Sequence, residues 1–384
     1  MAVAEEELQI WVAAIDSVIY ANEPQRHLDP VAVGSSAIHS LNNAVRGGHK
    51  VACCLLGMCH LKVQLAPHLG EFFEASTEKG FELLKQSADA EYVPAVYQLS
   101  ECYRLGVGSA VDAAQAAKLM KKIADPPHNF QAAQRQYGIM FYEGCGVEQS
   151  YQRAVQWFQK ASQQDDVEAV VRLGLCYQLG LGGLELGIKN ALDLYEVASM
   201  KGHPFAHACI GRAYECGEGH RWDPPMALKH YTAAADGGDP MGRVGAAWLL
   251  LTGGGGYIEV DKPRGLQLLK DGAQAGCREA QYLVSQFHLN PQIGGKVNIK
   301  KGMEFLTKAA DGAEGLPLAK YTLAQAHHFG HHELSPDLKK ALALYESAAA
   351  AGHSMAKTRA AAIQKQIEEE EAEEEAKSKK KGKK

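Results

Sequence analysis

The chain has 384 residues, 46% hydrophobic and 22% charged, with 39 Gly, 14 Pro and a formal net charge of −5. That composition excludes wholesale disorder and, without a Gly-X-Y period, a collagen-like assembly; its slightly acidic balance lacks the basic footprint of a nucleic-acid binder. Nine scattered Cys without a Cys-x-x-Cys pair, an acidic start (MAVAEEELQ), no Asn-x-Ser/Thr sequon and no 18-residue apolar run read as a soluble, cytoplasmic protein with free thiols, with no membrane span and no disulfide scaffold.

From the N-terminus onward the elements follow one repeat. A small anchoring residue recurs at Ala14, Ala52, Ala95, Ala133, Ala169, Ala206, Gly242, Ala280, Ala319 and Ala356, in steps of 36 to 39 residues except one of 43. The long step places an insertion near LKVQLAPHLGEFFEAST (61–77). The anchors open a first template, as in AVYQLSECYRLG (95–106), AVVRLGLCYQLG (169–180) and AHACIGRAYECG (206–217). Apolar residues 0, 4 and 8 after the anchor share one helical face. Gly106, Gly144, Gly180, Gly217, Gly253 and Gly330 follow the last turn, where glycine takes a left-handed cap without a Cβ penalty.

A second template follows 21 to 23 residues after the anchor, as in AVQWFQKA (154–161), ALDLYEVA (191–198) and ALALYESA (341–348). It too has helical spacing, so each unit is expected to be a helix, a Gly-rich loop, a second helix and a Gly turn. Small residues at the crossing (Gly57, Gly138, Gly174, Gly211) permit close approach of the two helices. Leu56, Tyr137, Leu173 and Ile210 one step before, and Phe141, Tyr177 and Tyr214 three after, fill the remaining space. One hairpin cannot bury its apolar face alone, so neighbours must stack. Nine hairpins and a final helix are expected to reach about residue 366.

The pattern A-x-x-x-L-G-x-x-Y-x-x-G followed by A-x-x-x-[WFY]-x-x-A resembles the SLR (SEL-one-like repeat) family of tetratricopeptide-like helical repeat proteins over residues 14–366. Ile19, Lys121 and Gly272 depart from it. The resemblance implies an all-α fold, a right-handed superhelical solenoid of about nine helix-turn-helix repeats plus a C-terminal capping helix. Residues 1–34 would be the N-terminal helix of a degenerate first repeat, 35–366 the solenoid and 367–384 an acidic-then-basic charged tail. The family resemblance implies a non-catalytic scaffold or adaptor that binds other proteins and needs no cofactor. An adaptor subunit of a protein-degradation (ubiquitin ligase) complex is one alternative.

In such a stack the first helices line the concave face. Positions 0, 4, 5 and 8 serve the core, and −1, 2, 6, 9 and 10 lie opposite. The candidate protein-binding residues are therefore Tyr97, Glu101, Arg104, Arg135, Tyr142, Arg212, Glu215, Val244, Trp248, Tyr282, Gln286, Tyr321 and His328. Tyr, Trp and Arg are enriched at binding hot spots. Trp248, Tyr282 and Tyr321 would form an apolar stripe, and Arg104, Arg135 and Arg212 a more polar N-terminal half. The competing reading is that some of these aromatics pack between adjacent repeats.

Motifs that suggest chemistry fail on detail. HHFGHHE (327–333) spaces His327 from His331 and His328 from His332 by four, as a helical zinc pair requires, but Gly330 interrupts the helix and no second zincin His follows. Cys53, Cys54, Cys59 and His60 sit where a first helix wants small apolar residues. Cys209 and Cys216 are too far apart on one helix for a disulfide. LTGGGGY (251–257) and Gly294-Gly295-Lys296 lack the context of a phosphate loop. The tail EEEEAEEEAKSKKKGKK (368–384) is helix-supporting through Glu373–Lys377 and Glu375–Lys379 and otherwise solvated. Its Lys cluster could contact an acidic surface, which leaves a cytoskeletal or ciliary assembly scaffold as a second alternative.

Overall fold

The computed structural model describes residues 42–61, 74–291 and 297–381. Among them the regular structure is helical, without strands. The chain divides into two compact units, Met1–Lys201 and Gly202–Lys384. The first holds α1 (Lys50–His60), α2 (Thr77–Asp89), α3 (Val93–Leu105), α4 (Ala113–Ala124), α5 (Gln131–Glu143), α6 (Tyr151–Ser162), α7 (Val167–Leu179) and α8 (Ile188–Met200). The second holds α9 (Pro204–Cys216), α10 (Pro224–Asp236), α11 (Pro240–Thr252), α12 (Lys262–Gln274), α13 (Arg278–Leu289), α14 (Ile299–Ala310), α15 (Pro317–Phe329), α16 (Leu338–Ala350) and α17 (Ala356–Lys381). The described residues thus contain eight hairpins and a final helix. Most of the repeat anchored at Ala14 and most of the insertion after Leu61 lie outside them.

Within each unit the odd-numbered helices are the first helices and the even-numbered ones their partners, up to α17. Anchors Ala95, Ala133, Ala169, Ala206, Ala280 and Ala319 have no exposed surface. The crossing glycines are sterically required. A Cβ on Gly174 would lie 2.6 Å from the Tyr195 ring, on Gly138 2.7 Å from Phe158, and on Gly211 2.8 Å from Tyr231. Gly242 stands where other repeats carry Ala, because a Cβ there would come 2.4 Å from that of Ala234.

First helices α3, α5, α7, α9, α11 and α15 each end on the expected glycine in left-handed conformation. Seven of the eight second helices start on a side-chain cap: Ser76, Asp112, Ser150, Asp223, Asp261, Asn298 and Asp337 each accept a backbone N–H from the first turn, whereas α8 starts on Gly187 without one. The core face of the first helix is wider than periodicity suggested. Position 7 is buried as well, at Cys102, Met140, Cys176, Ala213, Leu249 and Ala326. Position 1 carries buried polar groups that are satisfied by the preceding repeat. Gln134 donates to the Ala124 carbonyl at 3.1 Å, Gln281 to Ala273 at 3.2 Å and Lys320 to Ala313 at 3.2 Å.

A second glycine in the inter-helix loop joins repeat to repeat. Gly108, Gly146 and Gly182 have φ of 71°, 71° and 69°. Each rests on the first residue of the previous second helix: a Cβ on Gly146 would sit 1.9 Å from the Ala113 carbonyl oxygen, on Gly108 2.4 Å from that of Thr77, and on Gly182 2.6 Å from that of Tyr151. In the second unit the loop glycine Gly254 lies over Pro224, the first residue of α10, where a Cβ would come 2.9 Å from the proline Cβ. No side chain fits these seats. At the C-terminus, α17 runs without a break across residues 366 and 367 to Lys381. Its first turns bury Ala356, Ile363 and Ile367 with Tyr345.

Candidate protein-binding face of the first helices

The helical position of each candidate decides what it meets. Two residues after the anchor, the side chain reaches to the segment that opens the next repeat. Tyr97 on α3 sets its ring edge-on to Phe130, with centroids 5.8 Å apart. Arg135 on α5 donates from Nη1 to Asp166 Oδ2 at 2.7 Å, and the other Asp166 oxygen caps α7 at Ala169 N–H, 2.9 Å away. Val244 on α11 packs in one apolar cluster with Cys277. The Tyr282 hydroxyl on α13 lies 3.4 Å from Thr322 Oγ1 on α15. Tyr321 on α15 is corrected by the structure: it is only 6% exposed, stacked on His353 at 4.2 Å and edge-on to Tyr345. The turn that introduces α17 covers it, so it is core and leaves the apolar stripe.

Six residues after the anchor the side chain faces outward. Arg212 is exposed. Trp248 is 49% exposed, a large apolar ring in water. With Gln286, Leu251, Leu269, Leu283 and Phe287 it lines a cavity of about 310 Å³ among α11, α12 and α13. Glu101 occupies the same position but is drawn into an ion pair with Arg104, 2.6 Å apart.

Nine residues after the anchor the side chain turns to its own hairpin. The Tyr142 ring meets Tyr151 edge-on at 5.2 Å. Glu215 accepts from the Tyr231 hydroxyl at 2.6 Å, and burial with this contact drives the Tyr231 pKa upward. His328 stacks on Phe329 at 4.0 Å, and burial holds its pKa below the ordinary value. In the first unit Tyr97, Glu101, Arg104 and Arg135 are brought together: burial raises the Tyr97 pKa, Glu101 adds to the rise, and Arg135, in hydrogen-bond contact, opposes it.

The motifs outside this row resolve into structure. Gly253 to Gly256 form the left-handed cap of α11 and a short 3-10 turn. None of the nine cysteines is in a disulfide. Burial raises the Cys54 pKa to about 12, with Cys53 adding to it, and burial raises that of Cys59 to about 11, so these thiols are held protonated. Among the described residues no three His, Cys, Asp or Glu side chains converge as metal ligands. None of the described helices is long and apolar enough to cross a membrane.

Helical hairpins stacked through shared loop glycines, with an outward row of variable side chains, define a tandem helical-repeat protein. The chain belongs to the Sel1 repeat family, whose repeat matches residues 65–92, 93–125, 131–166, 167–203, 206–239, 241–277, 278–313 and 317–353. Sel1 repeat proteins are protein-interaction scaffolds. The chitin synthase regulator SKT5 of Saccharomyces cerevisiae is 26% identical over 63% of this chain and 36% of its own length. Chitin synthase regulatory factor 3 of Schizosaccharomyces pombe is 24% identical over 66% of this chain and 27% of its own. The chain thus spans about a third of these curated relatives' length. Among solved structures, a protective antigen of uropathogenic Escherichia coli with an SLR fold matches with a TM-score of 0.57 at 24% identity, over 85% of this chain and 67% of that one. A Sel1 repeat protein from Oxalobacter formigenes matches with a TM-score of 0.57 at 23% identity, over 66% and 96%. At these identities the two structures support the fold.

Proposed function

We propose that this chain is a non-catalytic scaffold or adaptor that binds segments of partner proteins along the outward row of its first helices. The observation that carries this reading is Trp248, a half-exposed indole beside an apolar cleft on a row whose core positions are otherwise filled. A large aromatic ring left in water at the rim of a cleft gains free energy when a partner covers it. Gln286 supplies a polar group to fix the register of an extended or helical segment, and Arg212 adds an exposed cation on the row. The similarity to proteins named as chitin synthase regulators agrees with action through protein contact. A degradation-complex adaptor and a cytoskeletal or ciliary scaffold docked through the Lys-rich tail remain the narrower forms of the same reading.

The test is affinity capture with mass spectrometry on the full chain, compared with Trp248→Glu/Tyr282→Glu. The double variant is expected to lose its main partner while circular dichroism keeps its helical signal. Retention of every partner would move the binding surface off the first helices.

A further inference from the structure

A cavity of about 860 Å³ lies in the second unit, where second helices α14 and α16 flank first helix α15. Its floor is apolar: Met303 from α14, Leu323 from α15, and Leu334 with Leu344 from the loop and α16. Its rim is cationic, carrying Lys300, Lys308 and Lys340, in a chain whose net charge is −5. The carboxylates nearby are already engaged. Glu304 is paired with Lys308 at 2.7 Å, and Asp337 accepts the Lys340 backbone N–H at 2.9 Å as the cap of α16. Lys300 and Lys340 make no ion pair among the described residues.

Both of these lysines sit in the first turn of their helices. Since α14 and α16 are each antiparallel to α15, they run in the same direction, and the two free cations share one end of the groove. The positive ends of two helix dipoles point there as well. Lys308 stands at the other end, eight residues or about 12 Å along α14.

We propose that this groove is a docking site for an acidic amphipathic helix of a partner protein. Apolar side chains at i, i+3 or i+4 and i+7, spanning about 10 Å, would cover the floor. Carboxylates at one end of that helix would pair with Lys300 and Lys340, and one further along would compete for Lys308. The groove is open to solvent, so an acyl chain laid in it would keep one side in water, whereas an amphipathic helix turns a polar face outward. The inference rests on the protein-binding reading but assigns a different surface from the Trp248 row.

The test is selection of a phage library of random peptides, about 16 residues long to span the groove, on the full chain. The strongest peptide is then synthesised and titrated by fluorescence anisotropy. Expected are sequences with apolar residues at helical spacing and Asp or Glu near one end. Their affinity should fall about tenfold or more in Lys300→Glu/Lys340→Glu and fall with added salt, yet stay within about twofold in Trp248→Glu. Both lysines are exposed, and circular dichroism and thermal melts check that the variant folds. Selected peptides without an acidic end, or an affinity unmoved by the lysine variant, overturn the proposal. Loss in the Trp248 variant alone overturns it while upholding the first-helix reading, and no enriched peptide overturns both. Oleate binding that the lysine variant abolishes, with no peptide selected at this groove, assigns it to an acyl chain and overturns the partner named here.

Discussion

The first-helix rows of the two units use the same helical positions in opposite ways. In the first unit Arg104 is held by Glu101 at 2.6 Å and Arg135 by Asp166 at 2.7 Å. In the second, the row at Trp248, Tyr282 and Gln286 carries an indole in water beside an apolar cleft. Burial fixes only the anchor, crossing and core positions, so the outward positions are free to diverge. A row whose charges are satisfied internally offers a partner little, since each pair must be desolvated or broken before it can be used. A row that leaves apolar surface in water offers free energy on being covered.

The strongest way to break this comparison is to unseat one stack. Gly146→Ala places a Cβ against the Ala113 carbonyl at a φ of 71°. It is expected to cost about 3 kcal/mol or more in the first unit, read as a lowered melting temperature. Hydrogen exchange should show the loss in the first unit with the second still protected. Gly174→Leu, driven into the Tyr195 ring, is expected to cost about 1–3 kcal/mol by the same readout.

Asp166 and Asp239 sharpen the contrast directly, because they occupy the same place three residues before Ala169 and Gly242. Each caps its helix, at 2.9 Å and 2.8 Å, but only Asp166 also holds an arginine, and its side chain is 3% exposed. Asp239→Ala is expected to cost about 1 kcal/mol, the loss of a cap. Asp166→Ala is expected to cost about 2–3 kcal/mol, measured by urea unfolding, since Arg135 is left half-buried without its partner. Equal costs would mean that the ion pair contributes nothing.

The units also differ in acid. Burial, with His207 3.2 Å away, lowers the His230 pKa from 6.5 to about 4. Burial holds His288, His327, His328 and His332 down as well, all in the second unit. A depressed pKa means that the unfolded chain binds the proton first. The stability His230 contributes is whole above pH 6.5 and is lost as pH falls from there toward 4, and the other four act in the same direction. The second unit is expected to melt earlier on acidification, and His230→Gln to flatten the profile. The smallest effect is expected at Glu101→Gln, about 0.5 kcal/mol or less, since an i,i+3 pair near the surface is worth little.

Much of this was legible in the sequence. The anchors, crossing glycines and left-handed caps are set by local sterics and recur with the repeat, so a single chain displays them several times over. The outward row was legible only in part. Helical spacing places Tyr97, Arg135 and Tyr321 opposite the core of their own hairpin, yet Phe130, Asp166 and His353 from the next repeat meet them there. No pattern within one helix reports on a neighbour about 32 residues away. The loop seats at Gly108, Gly146 and Gly182 escaped for the same reason: the glycines are visible, but the carbonyl each one rests on belongs to the preceding repeat.

Those seats give the stack a direction. Each loop leans on a helix made before it, at Thr77, Ala113, Tyr151 and Pro224, so a repeat finds its platform finished when it leaves the ribosome. Shortening a unit from its C-terminal end leaves the remaining loop glycines on their seats, whereas trimming from the other end withdraws the seat under the first loop that remains.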